Sequence, residues 1–222
     1  MTNIHDMAEQ AGLSLREGPD GLALSDGTMS VRGDFVRMLP RLRPGNLNRE
    51  LLVKAAKVKR ADDRTLTAID ATAGLGDDSL LLAAAGFDVT MFERNPVIAA
   101  LLRDTLERSA TVPDLSPIVG RMHLVEGEST DAIPHLDFQP DVVLLDPMFP
   151  AKEKDAAAKK KLQMLQRLEQ PCDDENALLE AAFAAQPRKI VVKRPVKGPH
   201  LANRKPSYSL SGKAIRYDVY VP

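Results

Sequence analysis

Cysteine is almost absent. Among 222 residues Cys172 stands alone, so no internal disulfide can form and no cysteine-based zinc site can be built. The four histidines, His5, His123, His135 and His200, are scattered without the spacing of metal ligands, and no metal is expected. No apolar run approaches the ~18 residues that a membrane span requires. The first ten residues, MTNIHDMAEQ, lack the basic-then-apolar layout of a secretory signal. These absences lead us to expect a cytoplasmic protein that makes no use of a membrane. G-x-S-x-G and the P-loop lysine motif are also missing, which removes the commonest hydrolase and nucleotide-triphosphate chemistries.

What is present is ordinary in amount and uneven in placement. The chain is 44% hydrophobic and 27% charged with a net charge of −1, enough for one sizeable α/β domain with a core that needs no staples. From Arg37 to Arg60 there are eight Lys/Arg and one acid, Glu50. From Arg188 to Arg216 there are nine Lys/Arg and no acid. Between Asp62 and Asp146 sixteen acids face five arginines. Such runs are either solvated surface or one basic face around a site that takes a polyanion such as nucleic acid.

Residues 1–45 read as a small β-rich extension. LSLREGPDGLALSDGTMSVRGDF alternates in short runs broken by Pro-Asp-Gly and Asp-Gly, which are hairpin signals. RLRPGNLN reads as a loop, with Asn46 or Asn48 capping a helix across RELLVKAAKVK. Residues 46–222 form the main domain. LTAID, FDVTMFE, MHLVEGE, DVVLLD and KIVVKRP are predicted strands, and PSYSLSGKAIRYDVYVP a closing hairpin around Ser211-Gly212. Between them lie predicted helices: SLLLAAAG, capped by Asp77 or Asp78 and stopped by Gly86; NPVIAALLRDTLERSA, with Asn95 as N-cap; and segments around 154–169 and 174–186. Strands alternating with helices imply an α/β fold, a mostly parallel sheet covered on both faces, with an antiparallel hairpin at the end.

Four motifs carry chemistry, each at the carboxyl end of a predicted strand, where open α/β sheets bind ligands. DATAGLGDD, Asp70 to Asp78, follows the first. Gly74 and Gly76 permit a sharp turn and a close approach of a ligand. A dinucleotide fingerprint would need glycine where Ser79 stands, and Asp77 and Asp78 repel a pyrophosphate. A phosphate-free nucleoside cofactor with a cationic centre suits these acids, and S-adenosylmethionine is such a molecule. The plainer reading is a tight turn with helix caps. Glu93 ends the second strand, 17 residues after Gly76, placed to grip ribose hydroxyls or to stand on the surface before the Asn-Pro helix start. EGES, Glu126 to Ser129, ends the third strand, where a polar group stands either beside an adenine edge or in a plain loop.

DPMFP follows the fourth. An exocyclic amine on a base is a poor nucleophile because its lone pair is delocalised into the ring. Asp146 and the carbonyl of Pro147 can accept its hydrogen bonds and localise that lone pair, and proline fixes the turn that aims them. Phe149, one of six phenylalanines and flanked by prolines, can stack on a base drawn out of its helix, or simply belong to the core. Lys193 and Arg194, ending the fifth strand, and Arg41 and Arg43 in the earlier basic segment are candidates for phosphate contacts, or are merely solvated.

The strings DATAGLGDD, FERNPVIAALL, VVLLDPMFP and VVKRP together resemble the ribosomal RNA small subunit methyltransferase J family, over roughly residues 65 to 220. That resemblance implies a Rossmann-like methyltransferase fold with a seven-stranded sheet, S-adenosylmethionine as cofactor, and methylation of a guanine N2 in 16S rRNA, free or in the small subunit. It carries cofactor contacts onto Asp77, Asp78, Glu93, Arg94, Glu128, Ser129 and Asp146, beside Asp70, Gly74 and Gly76 of the turn. Two positions depart from the family pattern: Asp77 where Arg is usual, and Glu128 where Ser is usual. The rival readings are a methyltransferase for adenine N6 or a protein glutamine amide, a non-catalytic RNA-binding module on the same fold, and an NAD-dependent oxidoreductase, which the missing third glycine disfavours.

Overall fold

The computed structural model describes residues 3–59, 63–147, 163–168 and 174–222. Strand-forming segments rich in Val, Ile and Leu build a seven-stranded sheet in the order β6-β5-β4-β7-β8-β10-β9. Its members are β4 (Leu66–Asp70), β5 (Phe87–Glu93), β6 (Met122–Glu126), β7 (Val142–Leu145), β8 (Lys189–Pro195), β9 (Tyr208–Ser211) and β10 (Ile215–Tyr220). The first five run parallel, and β10 is antiparallel to both its neighbours. The chain leaves β4 toward β5 and β6, then returns to place β7 on the other side of β4. The topological switch therefore lies between β4 and β7, where ligands enter sheets of this kind.

Alternation along the strands splits the core. Leu66, Ala68, Val142, Leu144 and Val191 join one buried cluster, and Ile69, Val143, Leu145, Ile190 and Val192 the other. Each fully buried aliphatic side chain contributes roughly 1.5–3 kcal/mol. The first face is covered by α4 (Leu51–Ala56), α5 (Asp77–Ala84) and α7 (Ser116–Val119), and the second by α8 (Ser129–Ala132) and α10 (Glu175–Ala184). At the amino ends of the central strands, opposite the switch crevice, the buried Asp141 receives Arg64 at 2.7 Å and Arg188 at 3.3 Å.

The N-terminal strands β1 (Ser14–Gly18), β2 (Gly21–Ser25) and β3 (Ser30–Val31) form their own antiparallel sheet. Their Leu15, Leu24 and Val31 pack with Val97, Ile98 and Leu101 of α6 (Pro96–Ala110) and with Met164 of α9 (163–168). Phe35, Met38 and Leu42 reach into the main core. Helix α1 (Ile4–Gln10), capped by Asn3, has no counterpart in the sequence reading.

Three local expectations are corrected. RLRPGNLN is not a loop: α2 (Leu39–Leu42) and α3 (Pro44–Leu47) each use a proline in the first turn, where its fixed φ and missing N–H suit a helix start. Neither Asn46 nor Asn48 caps α4. Glu50 occupies that place without a side-chain bond, and Asn46 donates to the Pro40 carbonyl instead (2.8 Å). Helix α5 is capped not by Asp77 or Asp78 but by Gly76 at φ +80°, a left-handed conformation that glycine adopts at no steric cost. The two acids sit in the first turn, where the helix dipole favours them. No helix among the described residues is long and apolar enough to cross a membrane.

Candidate active site

The carboxyl ends of β4, β5, β7 and β8, with the segment after β6, enclose a cavity of about 350 Å³ at the switch point, within the range of small-molecule sites. Nine residues singled out from sequence line it together: Asp70, Gly74, Asp77, Asp78, Glu93, Arg94, Glu128, Ser129 and Asp146; Pro147 and Lys193 line it too. Six of the lining residues are carboxylates and two are cations, so the cavity favours a positively charged guest.

The turn after β4 organises one wall. Gly74, at φ +55°, has nothing within 4 Å of where a Cβ would stand, so its backbone opens onto the cavity. Its N–H donates to Glu93 Oε2 (2.9 Å), while Glu93 Oε1 receives the Asn95 N–H (2.8 Å). The buried Glu93 thus ties the glycine turn to the start of α6 and still lines the cavity. Gly76 plays a different part from the one expected. It does not line the cavity; a Cβ there would meet Leu102 Cδ1 at 2.7 Å and Phe35 Cζ at 3.1 Å, so this glycine lets α5 pack closely.

Asp77 and Glu128 each come with an arginine. Asp77 Oδ2 pairs with Arg37 at 3.0 Å and Glu128 with Arg94 at 3.5 Å. Asp77 Oδ1 is a buried acceptor with no hydrogen-bond partner among the described residues.

Asp70 lies fully inside, accepting from Ser79 Oγ (2.6 Å) and the Thr72 N–H (3.1 Å). Burial pushes its pKa up to about 7; Asp78 and Asp146 act in the same sense, and the two hydrogen bonds oppose it. The native state therefore keeps a proton on Asp70 between pH 4 and 7 that the unfolded chain, titrating near 3.9, has released. Native stability from this group is complete below about pH 4 and falls as pH rises toward 7, by about 1.4 kcal/mol per unit crossed. Asp70→Asn is expected to flatten the decline by that amount. Denaturant unfolding at pH 5 and pH 7 checks it; equal declines in the two proteins would refute the assignment.

Asp146 is anchored by its N–H, which donates to Thr72 Oγ1 (2.7 Å). Its carboxylate receives Lys193 Nζ at 2.8 Å, and the same ammonium reaches Asp78 at 2.7 Å. Burial pushes the Asp146 pKa up; Lys193 opposes this and Asp78 reinforces it. Burial alone would draw the Lys193 proton off, but Asp78 and Asp146 outweigh it and hold that pKa well above the lysine value.

Lys193 is therefore inside the cavity and not on a phosphate-facing rim. Arg194 is corrected outright. It is 1% exposed, and its guanidinium donates to the Pro199 carbonyl (2.8 Å) and Glu175 (3.2 Å), out of reach of a polyanion. Arg41 is exposed and forks onto Glu50 (2.8 and 2.9 Å), and Arg43 is exposed. Phe149, with the rest of 148–162, lies outside the described residues.

Sequence reasoning gave no site role to Thr72, Ser79 or Leu165. Thr72 and Ser79 fall within or next to DATAGLGDD, and their role shows only in their partners. Leu165 belongs to α9, held by Asn95 Nδ2 on the Leu168 carbonyl (2.8 Å) and by Arg167 on the Gly12 carbonyl (2.9 Å).

Comparison with known proteins agrees with this geometry. The SAM-dependent methyltransferase family model matches residues 3–222. A ribosomal RNA small subunit methyltransferase J of Thioalkalivibrio sulfidiphilus is 42% identical over 229 residues, covering 99% of this chain and 89% of that protein. The protein of the same name in Pseudomonas aeruginosa is 41% identical, covering 96% and 83%. The crystal structure of a SAM-dependent methyltransferase from Neisseria gonorrhoeae superposes with a TM-score of 0.76 at 32% identity, over 99% of this chain and 91% of that one.

Proposed function

The chain belongs to the SAM-dependent methyltransferase family, among the ribosomal RNA small subunit methyltransferase J proteins, and from that premise we propose that it methylates the exocyclic N2 amine of a guanine in 16S rRNA. The observation that carries the reading is the placement of Asp146-Pro147 at the switch point, opening onto an acidic cavity.

S-adenosylmethionine fits the residues present: Gly74 leaves open space, Asp77 Oδ1 offers an unsatisfied acceptor, and the excess of carboxylates suits a sulfonium and an ammonium. When bound it supplies an electrophilic methyl group. Glu93 would hold the ribose, and Glu128 and Ser129 would border the adenine. Asp70, Asp77 and Asp78 would set the field around the cationic end, with Arg94 holding Glu128 in place. Asp146 and the Pro147 carbonyl would accept hydrogen bonds from the target amine, localise its lone pair and turn it toward the methyl carbon. Positioning and a preorganised field do the work in such an in-line transfer. With its pKa raised, Asp146 is also placed to take the proton that the nitrogen sheds once the N–C bond has formed. Phe149 would stack on the base.

Exposed basic side chains would hold the RNA backbone. Arg43 and Arg49 precede α4, whose Leu51 packs at the hairpin turn beside Gly212, next to the exposed Lys213. These join Arg41 in place of Arg194. Residues 1–45 would act as an extension of the methyltransferase domain, and the enzyme would work in the cytoplasm, where the small subunit is made.

The test is methyl transfer from S-adenosylmethionine to unmodified 30S subunits and to naked 16S rRNA, followed by nucleoside mass spectrometry. N2-methylguanosine above the no-enzyme control is the expected product. Methylation confined to adenine N6, or to a protein glutamine, would overturn the base assignment and leave the fold of the chemistry intact.

A further inference from the structure

Lys193 is one strand away from Asp146 and level with it: β7 pairs with β8 in the register Leu145↔Val192, so the next residue on each strand stands side by side at the cavity. Its ammonium touches two carboxylates, Asp146 and Asp78. An ammonium has three N–H donors, and the third has no partner among the described residues. The side chain is 25% exposed, so what reaches it must come into the cavity. An RNA phosphate, which stays on the rim when a base is drawn out, does not.

The pair therefore offers an incoming base a carboxylate acceptor and an ammonium donor in contact with each other. Guanine presents the complement on one edge: the N2 amine and N1–H as donors, and the O6 carbonyl as acceptor one ring position further on. With the amine on Asp146, the neighbouring donor falls toward O6. Resting on the methyl-transfer reading above, we propose that Lys193 is a specificity residue that donates to the O6 carbonyl of the target guanine while Asp146 holds the amine. Asp78, on the far side of the ammonium, keeps Lys193 charged and aimed when Asp146 turns to the substrate. A charged hydrogen bond inside a desolvated site discriminates strongly against a base that cannot complete it.

The experiment uses reconstituted small subunits in which the methylated guanine, once mapped, is present as guanine or as 2-aminopurine, which keeps the amine and lacks both O6 and the N1–H, so that the part of the preference that depends on Lys193 reports the O6 contact. Wild-type enzyme, Lys193→Met and Lys193→Arg are compared by kcat/KM, with S-adenosylmethionine affinity and thermal stability measured on each. The wild type is expected to prefer guanine by roughly 10- to 100-fold. Lys193→Met is expected to lose most of that preference, through a drop on guanine larger than on 2-aminopurine, with cofactor affinity retained. Lys193→Arg, which keeps a donor, is expected to restore part of it. A Lys193→Met enzyme that is slower on both bases by the same factor would overturn the proposal and leave Lys193 a structural counter-ion. Equal wild-type rates on the two bases would overturn it as well, with the methylation reading untouched. Absence of N2-methylguanosine from wild-type enzyme on guanine would remove the reading on which it rests.

Discussion

Replacing Asp146 by alanine is expected to lower kcat by about 10³-fold, the scale on which positioned acceptors and proton-transfer groups act. The fold should survive, because the contact that pins this turn is made by the Asp146 backbone N–H to Thr72 Oγ1, which alanine keeps. Cofactor affinity should change far less than kcat, since Glu93, Gly74 and Asp77 remain. Asp146→Asn separates the two roles of the carboxylate: it preserves an acceptor oxygen but loses the charge and the capacity to take a proton, and should fall between wild type and alanine. Single-turnover methyl transfer at saturating cofactor is the measurement. If Asp146→Ala turned over within threefold of wild type, the amine would be held elsewhere and the assignment of this crevice as the acceptor side would fail.

The central strands were legible because their apolar runs are continuous: Val142–Leu145 and Ile190–Val192 are buried on both faces, and such a run ending in a charged residue marks where a parallel strand leaves the core. The cavity was legible for the same reason, since its acids cluster at those ends. Contacts between distant segments were not. Thr72 meets Asp146 across 74 positions and Lys193 meets Asp78 across 115, and no local pattern encodes either. Grouping Lys193 with Arg194 as one phosphate-binding pair overlooked a rule that the sequence does contain. Neighbours on a strand point to opposite faces, so only one of the two could enter the cavity; Arg194 goes to the other face and meets Glu175. The short helices at Leu39–Leu42 and Pro44–Leu47 escaped because a one-turn helix has no periodicity to read, and proline signals a break as readily as a start.

Arg194 belongs to a buried polar network whose centre, Arg216, carries the largest expected effect on stability. Arg216 is 7% exposed and Asp218 is fully buried. The guanidinium forks onto Asp218 (2.9 and 3.0 Å) and donates to the carbonyls of Pro195, Val196 and Gly198 at 2.8–2.9 Å. Asp218 also receives Ser209 Oγ (2.6 Å) and faces His200 Nδ1 (2.9 Å). This ties the loop after β8, with Ala202 and Asn203 at φ +51° and +53°, back to the sheet. Arg216→Ala leaves a buried carboxylate short of its main partner and the Val196 and Gly198 carbonyls without the guanidinium's N–H, while the Pro195 carbonyl keeps the Gly198 N–H (2.9 Å). Breaking such a pair costs about 3–5 kcal/mol, and in a chain of this size the melting temperature should fall by roughly 10 °C. Arg216→Lys should recover little, because an ammonium cannot reproduce the fork. The deficit should depend on pH with a definite sign. Although burial pushes the Asp218 pKa up, Arg216, Ser209 and His200 together hold it below the usual carboxylate value, so its stabilisation is present above about pH 4 and is lost as pH falls through the native pKa. The gap between wild type and Arg216→Ala should accordingly be widest near neutrality and narrow on acidification below about pH 4, where Asp218 is protonated in the variant and the ion pair weakens in the wild type. A gap independent of pH in thermal or denaturant unfolding would mean that the arginine acts through the loop carbonyls alone and not through the charge of Asp218.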